Sequence, residues 1–207
     1  MPKPALKIVA ATIVKRKVTP RRPRNDQVRT REYLTEAEVE ALIAACKDNR
    51  QPHRDATMIL IAFRHGLRAS ELVDLQWTQV ALEAARLAIS RVKNGTPSTH
   101  PLTGRELRAL RKLRRDAKSP FVFVSQRGAP MTVSNFQKLV TKAGAVAGLE
   151  IKTHPHMLRH ACGFTLANAG KDTRSLQAYL GHKNIQHTVR YTELAPTRFK
   201  GWISWER

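Results

Sequence analysis

The stretch 87–102 constrains the fold more than any other part of the chain. Leu87-Ala88-Ile89-Ser90-Arg91-Val92 has the residue types of a strand, and Lys93-Asn94-Gly95-Thr96-Pro97-Ser98 is a turn cluster. Thr99–Leu102 then returns as the partner strand, and two strands joined by so short a turn pair antiparallel. Phe121–Ser125 reads as a third short strand. Elsewhere the start and stop signals are helical. Thr35 with Glu38 forms a capping box for a helix running to about Cys46. A second helix is predicted from about Asp55 to His65, with the apolar run Met58–Phe63 buried, and Gly66 closes it as a left-handed cap. A third helix follows from Leu67. Thr103 with Glu106 caps another, to about Lys118. Further helices are predicted over about 132–147, 156–169, 173–180 and 184–194, punctuated by Gly170 and Gly181. The fold class is therefore mainly α with a small antiparallel β-sheet. A length of 207 residues suits one core rather than two.

Charge divides the chain. Residues 1–31 hold ten Lys/Arg and one acid, Asp26, and include Thr19-Pro20-Arg21-Arg22-Pro23-Arg24-Asn25. Proline and like charge predict a flexible or extended basic arm over 1–31, leaving 32–207 as the folded domain. The whole chain has 37 Lys+Arg against 16 Asp+Glu, a formal charge of +21. An excess of that size points to a polyanion partner, with nucleic acid ahead of an anionic membrane surface or a merely solvated tail. No apolar run approaches the roughly 20 residues that span a bilayer. The apolar stretch Ala5–Val14 is broken by Lys7 and lacks a small-residue cleavage site, unlike a secretory signal. A cytoplasmic, nucleoid-associated protein is the expectation. Two cysteines, Cys46 and Cys162, make neither a disulfide framework nor a zinc cluster.

Several residues can carry chemistry, each with a bland alternative. In His156-Met157-Leu158-Arg159 the outer pair, three apart, shares one helix face. That sets a proton carrier beside a guanidinium whose fork of donors suits a phosphate. Taken alone, such a pair is more often a surface arginine and a half-buried histidine. His156 and His160, four apart with His154 near, allow a zinc reading. The zinc-protease pattern, however, needs glutamate where Met157 stands. Arg68 opens a helix after the Gly66 turn, and Glu71 one turn later can hold its guanidinium, which by itself is an ordinary ion pair. Gly181 permits a sharp turn that presents His182, and Tyr191 follows nine residues later on a helix, where a lone tyrosine is usually packing.

The order of these pieces carries more than any one of them. Arg68, Lys93 in the hairpin, Pro155-His156-Met157-Leu158-Arg159-His160, Leu180-Gly181-His182-Lys183-Asn184 and Thr188–Tyr191 together resemble the tyrosine recombinase/integrase family. The length and the wording of His154–Ala169 most resemble its short fimbrial phase-switch invertases. The likeness runs from about Arg31 to Pro196. It implies a catalytic-domain fold of the DNA breaking-rejoining type. It also implies that Arg68 and Arg159 clamp the scissile phosphate and that His156 and His182 add donors or move protons. Lys93 would protonate the departing 5′ oxygen, and Tyr191 would be the nucleophile, with Glu71 and Gly181 in support. The chemistry fits. Preorganised cations stabilise charge building on phosphoryl oxygens. A tyrosine of pKa near 10 needs help to attack. A phosphotyrosine conserves the energy of the broken bond, so neither metal, ATP nor other cofactor is expected.

The expected partners are double-stranded DNA bearing inverted-repeat sites, a homotetramer assembled on two sites, and accessory DNA-bending proteins. Candidate DNA contacts are Arg21, Arg22 and Arg24 in the arm, Arg91 in the hairpin and Lys183 beside His182. This chain departs from larger members in having only the basic arm where they carry an N-terminal clamp domain, and the hairpin lacks a second Lys and Arg. Trp202 and Trp205 either dock on a neighbouring subunit or pack on their own domain. Two rival readings remain: a type IB topoisomerase-like nicking-closing enzyme, and a non-catalytic DNA-binding regulator with the same fold.

Overall fold

The computed structural model describes residues 31–91 and 95–193. Lys93, the arm arginines 21, 22 and 24, and Trp202 and Trp205 lie outside the described residues. The elements run α1 (Glu36–Ala44), α2 (Pro52–Arg64), α3 (Ala69–Val73), a 3-10 turn (Trp77–Gln79), β1 (Val80–Ala81), β2 (Arg86–Ile89) and β3 (Ser98–Pro101). Then follow α4 (Gly104–Arg115), α5 (Val133–Val146), α6 (Pro155–Asn168), α7 (Thr173–Leu180) and α8 (Gln186–Glu193).

Helix α2 is the axis of the core. Its run Met58–Phe63 is apolar all round and buried all round, as a helix without a polar face must be. It starts earlier than the sequence suggested, because Pro52 with its fixed φ and missing N–H fits the first helical position. Val39 and Leu42 of α1, Leu110 of α4 and Met157, Leu158 and Ala161 of α6 join the same apolar cluster. The capping boxes form as read. The Thr35 N–H donates to Glu38 at 2.8 Å, and the Thr103 N–H donates to Glu106 at 2.8 Å.

The sheet has three strands in the order β1-β2-β3, antiparallel throughout, with Leu87 opposite His100. Its third member is β1, not Phe121–Ser125. That segment makes only isolated bridges, Gln76 with Phe121 and Val124 with Pro130. Consecutive Val122 and Phe123 are both buried, so the segment threads the core and lacks the alternation of a strand with one open face. Two tight turns then place the functional residues. Gly66 (φ +57°) ends α2, and Gly181 (φ +65°) ends α7. Both adopt the left-handed conformation that favours glycine.

Candidate active site

Gly66 turns the chain so that Arg68 adopts an extended conformation (φ −71°, ψ 155°) and becomes the N-cap of α3. The helix thus begins at Ala69 rather than Leu67. Glu71 binds Arg68 twice, accepting its backbone N–H at 2.9 Å and its guanidinium at 2.7 Å. The Arg68 side chain stays 26% exposed while Glu71 is almost fully buried. The Glu71 oxygen that accepts the Arg68 N–H also accepts from Arg91 at 2.9 Å. Burial raises the Glu71 pKa, but the bonds from Arg68 and Arg91 outweigh it and hold the carboxyl below its ordinary value.

Arg91, expected as a DNA contact at the surface, is instead buried. Its side chain is fully buried. It runs from the end of β2 between Gly95 and Gly181, where an added Cβ at either glycine would lie 2.7 Å from an Arg91 carbon. It ends on Glu71 and on the backbone carbonyl of Tyr179, 2.5 Å away. One guanidinium therefore ties the hairpin to α3 and to the C-terminal turn of α7. A second buried chain braces the same region. His65 meets Glu106 at 2.7 Å, and the facing Nδ1 atoms of His65 and His100 are 3.1 Å apart. The far nitrogen of His100 bonds Ser98 at 3.0 Å. The contact between the two Nδ1 atoms requires one ring to donate and the other to accept. Burial first, then the charges of His65 and Arg91, push the His100 pKa down to about 3.

Helix α6 supplies the next residues. Arg159 is 1% exposed and donates to the carbonyl of Gly66 and, at 2.6 Å, to that of Leu180. Both carbonyls close helices, where the backbone dipole favours a cation. Burial foremost, then Arg68 and Arg91, lower the Arg159 pKa to about 10, which still leaves it charged at neutral pH. His156 lies one turn away, its ring partly open to solvent. The protein packed around it and then the Arg159 charge bring its pKa to about 4.

The turn at Gly181 delivers His182, whose Nδ1 bonds the Thr188 hydroxyl at 2.8 Å. Burial and then Arg159 lower its pKa to about 3. Helix α8 lays Tyr191 against α6, with the residue 2% exposed. Its ring rests on Gly163, where a Cβ would come within 2.8 Å of ring carbons. Its hydroxyl is 2.8 Å from Nδ1 of His160. Burial, then the charge of His156, brings His160 to about 3, so it is neutral and accepts from the hydroxyl. Burial raises the Tyr191 pKa, against the opposing charges of Arg159 and Arg190.

Arg68, His156, Arg159, His182 and Tyr191, expected together from their order, line one pocket of about 200 Å³ with His160, His187 and Arg190. The sequence reading missed His160 as the partner of Tyr191. Its spacing of four from His156 was the available signal, since residues i and i+4 share a helix face. Lys183 is exposed on the turn beyond His182. Among the described residues no cluster of three His, Cys, Asp or Glu could hold a metal. Burial pushes the Cys46 and Cys162 thiols up to about 11 and about 12, which leaves them inert as nucleophiles.

Known proteins resemble this chain in sequence and in fold. The sequence is 42% identical over 184 residues to the type 1 fimbriae regulatory protein FimE of Escherichia coli K12, covering 86% of this chain and 92% of FimE. It is 35% identical over 176 residues to the tyrosine recombinase XerD of Ralstonia nicotianae, covering 81% of this chain and 57% of XerD. Among solved structures, the XerA recombinase superposes with a TM-score of 0.70 at 26% identity, covering 81% of this chain and 62% of that one. The model of the phage integrase family matches residues 32–198, and with a span of that extent the chain belongs to the phage integrase family.

Proposed function

We propose that this chain is a site-specific recombinase that cuts and rejoins duplex DNA through a 3′-phosphotyrosyl bond at Tyr191. The observation that carries the reading is the pocket that Tyr191 lines together with two arginines, Arg68 and Arg159. In the proposed reaction the Tyr191 oxygen attacks the scissile phosphorus and loses its proton, with His160 as the first acceptor. The bond from phosphorus to O5′ breaks, and that oxygen takes a proton from Lys93. Arg68 and Arg159 hold the non-bridging oxygens, and neutral His156 and His182 donate to them in the transition state. One phosphodiester is exchanged for another, so reversal by a new 5′ hydroxyl reseals the strand. The DNA partners are inverted-repeat sites. A tetramer on two such sites would invert, integrate or excise the segment between them, with DNA-bending proteins assisting and the bacterial nucleoid as the place of action. Phosphate contacts, including those of Lys183 and of Arg21, Arg22 and Arg24 in the arm over 1–31, would make binding strongly salt-dependent.

A nicked suicide duplex tests the assignment, because it loses the nucleophile for resealing. Wild-type protein should accumulate as a covalent complex with DNA, and Tyr191→Phe should give none. A Tyr191→Phe protein that still traps DNA removes Tyr191 from the role. Site-specific binding without any complex from the wild type would favour a non-catalytic regulator.

A further inference from the structure

Helix α4 carries a charge pattern that the catalytic pocket does not use. Its twelve residues read Gly-Arg-Glu-Leu-Arg-Ala-Leu-Arg-Lys-Leu-Arg-Arg. Buried Glu106 and Leu110 mark its inner side. At about 100° per residue, Arg108 and Arg115 fall opposite that side, with Arg111 and Lys112 flanking them. All four are exposed. Among the described residues no carboxylate pairs with any of them. Glu106 is taken by His65, and Glu40 is taken by Arg105. Arg114, on the edge of the stripe, lies over the Trp77 ring.

A face that only keeps a helix solvated interleaves acids with bases. Here Arg108 faces Arg111 and Lys112, and Arg111 faces Arg115, so like charges stand three and four apart and oppose the helix they sit on. Such a pattern is relieved when a polyanion lies along it. We propose that the outer face of α4 binds phosphates of a DNA duplex at a place separate from the catalytic pocket.

The packing of α4 sets where that face runs. Glu106 meets His65 at the C-terminal end of α2, close to Arg68, whereas the Ala109 carbonyl binds His53 in the first turn of α2. Helix α4 therefore leads from the catalytic end of α2 towards its opposite end, a length of about 20 Å. The stripe ends at a recess of about 460 Å³ whose charged lining is Lys112, Lys118 and Arg54 with one acid, Asp116. From Arg108 to Arg115 it extends about 10 Å, and one strand of a duplex offers about three phosphates in that length. The inference rests on the reading of the chain as a DNA recombinase. Two duplexes can supply these phosphates: the flank of the duplex already held in the pocket, or the second duplex of a synapsed pair.

The test is a full-length triple variant, Arg108→Gln with Arg111→Gln and Arg115→Gln, compared with wild type on three substrates. One duplex spans only the recombination site, a second adds long flanks, and the third reaction offers the short duplex with a second labelled copy in trans. Removing like-charge repulsion should leave the melting temperature unchanged or higher. Trapping on the short nicked duplex should stay within about twofold of wild type, which separates this question from the role of Tyr191. Loss of affinity on the flanked duplex alone assigns the stripe to flanking DNA. Loss of the two-duplex assembly alone assigns it to the second duplex. In either case the salt dependence of log K should flatten by about 0.9 for each phosphate contact removed. An unchanged salt slope and unchanged affinity on all three substrates overturn the proposal. Recombination lost in cells with all three DNA measurements intact also overturns it, and points to an acidic protein surface instead.

Discussion

Gly163 does for Tyr191 what no side chain could. The phenol ring lies against it so closely that a methyl group there would sit 2.8 Å from ring carbons. Gly163→Ala should leave the fold intact and swing the hydroxyl away from His160. Misplacing a reacting atom by about 1 Å costs on the order of a hundredfold in rate. Single-turnover trapping on the nicked duplex should fall by about that factor while DNA affinity holds. Unaltered trapping would mean that the pocket, not the ring position, sets the rate. Part of this site was legible in the sequence, because Arg68, His156, Arg159, His182 and Tyr191 occur in a recognisable order. The contact between Tyr191 and His160 was not. The spacing of four places His160 on the face of His156, but its meeting with Tyr191 depends on how α8 packs against α6, a long-range choice.

At the scale of elements, local signals were read well and buried charge was not. Thr35 with Glu38, Thr103 with Glu106, and the left-handed Gly66 and Gly181 act within one helical turn, so the sequence displays them directly. Arg91 looked like a surface cation because arginine is rarely buried. What hides it is Glu71, twenty residues away in the chain, together with a carbonyl in α7. Phe121–Ser125 misled in a similar way, its apolar run arising from passage through the core. The two readings of Arg91 differ experimentally. Arg91→Met removes one partner from a buried ion pair, and such losses cost about 3–5 kcal/mol. Urea unfolding should show a drop of that order, whereas the salt slope of DNA binding in the surviving folded protein should not change. A shallower slope with full stability would return Arg91 to the DNA surface.

For the whole molecule, the histidines set a response to acid. His100, His160 and His182 titrate at about 3 and His156 at about 4, below the ordinary value of 6.5. As pH falls below that value, the unfolded chain takes up these protons before the folded one does. Stability is therefore greatest above about pH 6.5 and is lost progressively towards pH 3–4. For buried His100 and His160 the loss by pH 5 is up to about 2 kcal/mol each. Glu71 and Glu106, whose folded values lie below 4.5, add little in that window. Thermal unfolding followed from pH 7.5 to 5 should show a midpoint that falls once the pH drops below about 6.5, and a flat profile would contradict the neutral, enclosed state of His100 and His160. Among the described residues no helix is long and apolar enough to cross a membrane.

The path of Arg91 between Gly95 and Gly181 has a hereditary consequence. A side chain added at either glycine would occupy space that the arginine already fills. Loss of the arginine would in turn leave Glu71 short of a partner. The three positions therefore behave as one inherited character, free to change only together. Among descendants of a common ancestor, an arginine at position 91 should travel with glycine at 95 and 181. Lineages that abandon one should show replacements at the other two.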